Sequence, residues 1–436
     1  MKRLLPFIVA ILLVSLSGAR GEEPSERKIE DSQPLHDAEK ASPPGEAYRT
    51  PLAGEAYRTV LFGYPVEVPF RDRRDVRAFS VGANVYTPAV GEDNFIPIAA
   101  LYWNKQNDPT RLRAIVAVFM NELEVARRFG NVELIGRWEN DTVPFPSTEV
   151  SRGSEVKGSS IIWGTFSGYA GAGVRYPVHP FQADNDLRLQ LLYQAGYLYS
   201  RPTDDTAPTV LLPPDTFLQG LKLRGRYDGM RRNLMEMVHS GVSLGFDADM
   251  VRRDRWGDAN YGGGLFRGED TRDYVKVSGF LTAATKVPWL SERDRLIVSI
   301  HAGYSPGSTL DRFSAFRIGG GLYPNEAEDM RRPYYPGALY NQFPVTDYIV
   351  TNFEYRREIL FCLFLHLRGT LISGKRPDFQ PDELELLKDR GEAFSLGITS
   401  GMPWKSQIYF EYAYDEEALR DDLSGSSFLV LWSKAF

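Results

Sequence analysis

The chain has 436 residues, 43% hydrophobic and 25% charged, with a formal charge of −6 at pH 7 and one cysteine. That length holds one large barrel or two to three soluble domains. The mild acidic balance offers no electrostatic footprint for nucleic acid, and a lone Cys362 excludes an intrachain disulfide and a cysteine-based metal site. Aromatic content is 13%, with 23 Tyr, 25 Phe and 7 Trp, residues that favour membrane–water interfaces where one ring end is dry and the other wet.

In chain order, Lys2 and Arg3 precede an apolar run from Leu4 to Leu16, and small residues follow at Ser17, Gly18, Ala19 and Gly21. This arrangement predicts a cleaved signal peptide over residues 1–21, too short to serve as a comfortable membrane span. Residues 22–74 are predicted to be a disordered periplasmic segment, because the tract to about residue 60 is rich in Glu, Pro, Ser and Lys and cannot bury a core. Within it GEAYRT occurs twice, at Gly45–Thr50 and Gly54–Thr59. Past residue 21 no run of 18 apolar residues follows, so an exported chain of this kind is periplasmic, secreted or an outer-membrane barrel.

From about residue 75 to 436 the pattern has period two. Leu187, Leu189, Leu191, Tyr193, Ala195, Tyr197 and Tyr199 fall on one face, opposite Arg188, Gln190, Gln194, Gly196 and Ser200. Val238, Val242, Leu244, Phe246, Ala248 and Met250 oppose Ser243, Gly245, Asp247 and Asp249, and Leu296, Val298, Ile300, Ala302 and Tyr304 oppose Ser299, His301 and Gly303. In a strand, alternate side chains point to opposite faces. These segments run about twice the five or six residues of an ordinary strand, which suits a tilted bilayer crossing. The prediction is an all-β fold, a transmembrane antiparallel β-barrel, with strands near 95–105, 111–122, 127–139, 159–177, 184–201, 215–229, 236–252, 273–288, 293–305, 346–358, 361–374, 391–402, 404–415 and 425–436. That gives fourteen. Residues 76–88 read as another; an even number is required if both termini lie in the periplasm, so either 76–88 is a periplasmic lead-in, leaving fourteen, or it pairs with an upstream strand near 57–68 to make sixteen. Closure is required because lipid cannot satisfy an open edge.

Short periplasmic turns and long external loops set the orientation: the long connections are 140–158, 202–214, 253–272, 306–345, 375–390 and 416–424. The last strand alternates up to the terminal aromatic, with Phe428, Val430, Trp432 and Phe436 on one face. This resembles the signal by which outer-membrane barrels are recognised for insertion. Lys434 breaks that face at the membrane edge, where it can snorkel.

From Asp273 onward the chain resembles the barrel of the BamA/TamA superfamily (bacterial surface antigen type). DYVKVSGFLTAATKVPWL and RLIVSIHAGYSPG look like that family's tenth and eleventh strands, and Asn352–Glu354–Tyr355–Arg356 resembles its twelfth. Between them a long loop carries Phe316, Gly319 and Gly320 and then MRRPYYPG, Met330 to Gly337, nearest to the family's Arg-Gly-aromatic tip. The resemblance implies a loop folded into the lumen, with Arg331 or Arg332 and Tyr334 at its tip and Glu354 as a carboxylate partner. Pro333 stands where the family has Gly, and Leu367 stands where it has a second acid. Periodicity places Leu367 on the lipid face and His366 and Arg368 in the lumen, so a two-carboxylate lock is incomplete. The polar segment ahead of the barrel is too short to fold even one POTRA domain, which implies a barrel-only member.

Catalytic chemistry is not expected. The histidines are His36, His179, His239, His301 and His366; His239 and Ser240 are strand neighbours that point apart. The glycine triplets Gly262–Gly264 and Gly319–Gly321 lack a phosphate-loop setting, and DELELLKD at Asp382–Asp389 reads as a short loop helix or a solvated face. No metal site and no cofactor are predicted. Expected partners are outer-membrane lipids and lipopolysaccharide, the barrel assembly machinery, and protein or lipid clients; no nucleic acid. The functional expectation is assistance in inserting or moving proteins or lipids at the outer membrane, through a weakly bonded first-to-last-strand seam. The alternatives are a passive, porin-like pore for small solutes and, last, a lipid-modifying barrel enzyme.

Overall fold

A computed structural model describes residues 50–90, 93–118, 120–151, 154–178, 185–260, 265–287, 289–320, 330–338, 343–378, 385–402, 406–416 and 424–436. The predicted signal peptide and the first copy of the GEAYRT duplication, apart from Thr50, lie outside the described residues. Sixteen long strands close into one antiparallel barrel. They are β1 (Asp75–Val90), β2 (Asp93–Asn107), β3 (Thr110–Ala117), β4 (Met120–Phe129), β5 (Val132–Ser147), β6 (Ser159–Pro177), β7 (Asp186–Thr206) and β8 (Thr216–Asp228). The second half comprises β9 (Val238–Arg253), β10 (Asp273–Lys286), β11 (Asp294–Tyr304), β12 (Asp347–Leu360), β13 (Leu363–Asp378), β14 (Glu385–Met402), β15 (Ser406–Glu416) and β16 (Ser424–Ala435). No described helix is long and apolar enough to cross a membrane; the strands cross it.

The alternation in β7 is physical. Leu187, Leu189, Leu191 and Tyr193 are exposed on the outside, while Gln190, Leu192, Gln194 and Leu198 are buried inside. Burying Gln and Arg inward and leaving Leu outward inverts a soluble protein, and it suits a barrel whose solvent is lipid. Gly130, at φ 65, and Asn131 form the two-residue turn between β4 and β5, where a left-handed residue matches the strand twist.

Several expectations need correction. The upstream stretch 57–68 adds no strand to the barrel: Tyr57–Leu61 and Tyr64–Val68 pair with each other in a separate two-stranded sheet. The count reaches sixteen because 111–122 is not one strand. β3 and β4 are joined by only two residues, so the apolar run from Ala114 to Met120 hides the turn, and the next strand starts at Val132 rather than near 127. Val238 does not face lipid; it packs inside with Met230, Ala284 and Ile297. An irregular register opposite Arg231 and Arg232, with Gly241 at φ 113, shifts the face along β9, as a bulge does. Asp389 likewise belongs to β14 rather than to a loop helix; 382–384 lie outside the described residues.

Residues 50–74, predicted disordered, are tied across the short-turn end. Thr50 Oγ1 donates to Glu358 Oε2 at 2.6 Å, Leu52 bridges to Asn233, and Arg73 Nη2 lies 2.8 Å from Glu236 Oε2. The apolar content of this tract is low, but its backbone and arginines find partners on the 229–237 turn, which a composition argument cannot anticipate. Just before β1, hydrogen bonds from Arg74 hold the Asp72 carboxyl below its ordinary pKa.

The first-to-last seam is paired along its length. Register runs without a break from Ser426–Thr87 to Ala435–Ala78, contrary to the weakly bonded seam expected. Gly82 makes this possible: a Cβ there would stand 2.1 Å from the Val430 carbonyl oxygen. Outside, the Phe79 ring lies 5.2 Å from Trp432 and 5.7 Å from Phe436. Phe428 and Phe436 are exposed, and the Phe436 amide donates to the Arg77 carbonyl.

Candidate functional site

A sixteen-stranded cylinder is wide enough to leave an aqueous channel. Here the described parts of the connection between β11 and β12, residues 305–320, 330–338 and 343–346, include a segment that lies inside it. The loop is anchored twice before it descends. Asp311 takes the Arg253 guanidinium through two oxygens, at 2.6 and 2.9 Å, and Arg312 Nε lies 2.6 Å from Glu149 Oε1. Arg253 and Arg312 are almost fully buried, at 0% and 1% exposure. Phe313 wedges between Trp163 and Trp256, with centroids 5.5 and 5.9 Å away. Phe316–Ile318 then pairs with Phe343–Val345.

The predicted glycine step sits where the two limbs of the loop cross. Gly319 bridges to Tyr334, the Tyr335 amide donates to the Gly319 carbonyl, and a Cβ on Gly320 would lie 2.6 Å from the Ala338 carbonyl oxygen. Gly321 lies outside the described residues.

The tip, residues 330–338, spans the lumen between two walls. On one side Arg331 and Arg332 both reach Glu122 on β4, at 3.2 and 3.3 Å. Glu122 also holds Arg137 on β5 at 3.0 Å, and Arg137 reaches Glu124 at 3.2 Å. On the other side the Tyr334 hydroxyl donates to Glu411 and the Tyr335 hydroxyl to Asp415, both on β15. Asn352 on β12 donates to the Tyr334 carbonyl at 3.1 Å, and His301 lies 2.7 Å from the Met330 carbonyl.

The resemblance implied Glu354 as the partner of the tip arginine, and the structure places it elsewhere. Glu354 Oε1 contacts Arg356 at 2.7 Å and His366 at 2.9 Å, and its Oε2 contacts Arg368 at 2.9 Å. Arg368 also reaches Glu411 at 2.9 Å and lies over the Tyr334 ring at 4.4 Å. The lumen face of β13 thus offers the cation Arg368, and the tip meets it with the ring of Tyr334. Leu367 is exposed on the outside while His366 is buried inside, as periodicity required.

Parity along β4 was the signal that could have identified Glu122 and Glu124: in MNELEVARRF, glutamates alternate with Leu123 and Val125. Reading 111–122 as one strand hid it. Arg253, Glu149, Glu411 and Asp415 were likewise missed, since nothing in spacing links a loop residue to its wall.

Thr399, His366 and Glu354 form a chain of contacts, with His366 Nε2 2.9 Å from Thr399 Oγ1. It has the connectivity of a nucleophile, base and acid. All three are buried, and the contacts join β12, β13 and β14.

No protein-family model matches the chain. No curated protein matches it in sequence. Among the solved structures that share its architecture are two outer-membrane barrels. BamA from Haemophilus ducreyi lacking POTRA domains 1–3 is similar with a TM-score of 0.50 and 9% identity, over 88% of this chain and 75% of that one. CdiB from Escherichia coli is similar with a TM-score of 0.50 and 12% identity, over 88% of this chain and 67% of that one. At such identity the likeness is one of fold, and the fold is that of a closed barrel of the bacterial outer-membrane type.

Proposed function

We propose that this chain is a barrel of BamA/TamA-like kind that assists the insertion or passage of proteins or lipids at the outer membrane, exported by the signal peptide at 1–21. The observation that carries the reading is the inward loop: its tip is fastened to β4 through Arg331 and Arg332 and to β15 through Tyr334 and Tyr335. A tip fastened to several walls narrows the lumen, which favours a braced barrel over a wide diffusion pore. The likeness in fold to BamA and CdiB is consistent with it. In this reading the barrel is not an enzyme, and its partners are outer-membrane lipids, the assembly machinery and a protein or lipid client.

The client would engage the wall beside β16 and pair with a strand edge once the seam opens. A photo-crosslinking side chain at Phe428, exposed beside the seam, tests this in cells. Adducts with barrel precursors or lipid are expected. They should vanish when a disulfide between Asn84→Cys and Leu429→Cys, register partners across the seam, locks it in a Cys362→Ser background. Adducts unchanged by the lock contradict seam opening.

A further inference from the structure

The half of the lumen nearest the short turns contains a cavity of about 120 Å³. Nine arginines line it against three carboxylates, Glu124, Asp186 and Asp228. Carboxylates offset part of this charge: Glu124 lies 2.7 Å from Arg111, and Asp247, on the lumen face of β9, lies 3.2 Å from Arg224. Three donors stay unsatisfied. Arg111 Nη1, Arg113 Nε and Arg224 Nη2 are buried without a hydrogen-bond partner, and Arg111 and Arg224 are at least nine-tenths buried as residues. Among the described residues Arg113 makes no ion pair; its guanidinium lies 5.9 Å from the Tyr102 ring centroid.

Buried guanidinium N–H groups without acceptors are costly, and an oxyanion is their natural complement. The volume is well below the roughly 300 Å³ of a drug-sized pocket. It accommodates one small anionic group, not a whole lipid or nucleotide. Donors arrive from β3 (Arg111, Arg113), β7 (Arg188), β8 (Arg224, Arg226) and the loop tip (Arg331). Such convergence from several directions suits a tetrahedral oxyanion better than a planar carboxylate, which a single guanidinium binds edge to edge.

We infer that this cavity binds a phosphate group, either free or carried on a lipid headgroup. Arg331 belongs both to the cavity and to the Glu122 contact, so the bound phosphate would help hold the loop tip in place. The site stands on its own donors and does not rest on the assembly reading.

Equilibrium dialysis of the full chain, folded in detergent, against radiolabelled inorganic phosphate at fixed ionic strength tests it. One phosphate per barrel is expected, displaced by sulfate and not by chloride or acetate. Arg113→Gln should weaken binding about tenfold or more, the loss of a charge-assisted hydrogen bond, while heat-modifiable electrophoretic mobility shows the barrel still folded. Should that variant fail to fold, Arg331→Gln, on the loop rather than the wall, is expected to weaken binding likewise. A parallel arm uses phosphatidylcholine vesicles with and without phosphatidic acid. Loss of labelled phosphate when phosphatidic acid is present assigns the site to a lipid phosphate, and unchanged binding assigns it to free phosphate. Binding that does not saturate, that tracks ionic strength alone, or that is equal in the folded variant and the parent chain overturns the inference.

Discussion

Arg253 on β9 and Asp311 form a buried ion pair that ties the loop to the wall. Each is essentially inaccessible, the pair is bidentate, and the guanidinium also lies 3.9 Å from the Trp256 ring centroid. Removing one partner strands a buried charge, which costs about 3–5 kcal/mol, whereas replacing both with apolar residues of similar volume is often near neutral. Asp311→Ala should therefore lower the urea midpoint of the vesicle-embedded barrel sharply, and Arg253→Met with Asp311→Leu should recover most of the loss. Outside, Leu367→Arg should cost about 2–4 kcal/mol of folding free energy near mid-membrane, read in the same titration, because Leu367 faces lipid. Inward and outward identity was legible residue by residue wherever a strand was read in register, as at Leu367 and Arg368. It failed at Val238, where Gly241 alters the backbone, and at Glu122, where a two-residue connection was mistaken for strand interior. Ion-pair choice was not legible at all: the sequence offers many carboxylates, and only the closed geometry decides that Arg331 meets Glu122 rather than Glu354.

At the scale of elements, the last strand and the inward loop hold the structure's specific features. β16 presents Phe428 and Phe436 outward and packs Leu429 and Leu431 inward with Ile98. Its alternation and terminal aromatic were readable in advance. Its seam with β1 was not, because pairing strength depends on how close two backbones come. Gly82→Val would drive a side chain into the Val430 carbonyl and should leave the barrel unclosed, seen as loss of the heat-resistant compact form on electrophoresis. A Gly82→Val chain that retains that form would show that the seam tolerates a gap. The loop's inward path followed from the resemblance; its anchoring by Arg312 and Glu149 to the neighbouring 148–158 connection did not, since those residues lie 163 positions apart in sequence.

For the whole molecule, strand number and lumen content have to be considered together. Sixteen strands give a cylinder of porin width, yet its interior holds the loop tip at 330–338 and an arginine–carboxylate network on β3–β9. Closure around a charged, loop-filled interior is the claim on which the functional reading depends. Single-barrel conductance in a planar bilayer tests it most directly, comparing the full chain with one in which residues 308–343 are replaced by a short glycine–serine turn. The full chain should give low, unsteady currents, and the shortened loop should give currents of open-porin size. Large steady currents from the full chain, unchanged by the deletion, would contradict the plugged lumen and leave a passive pore.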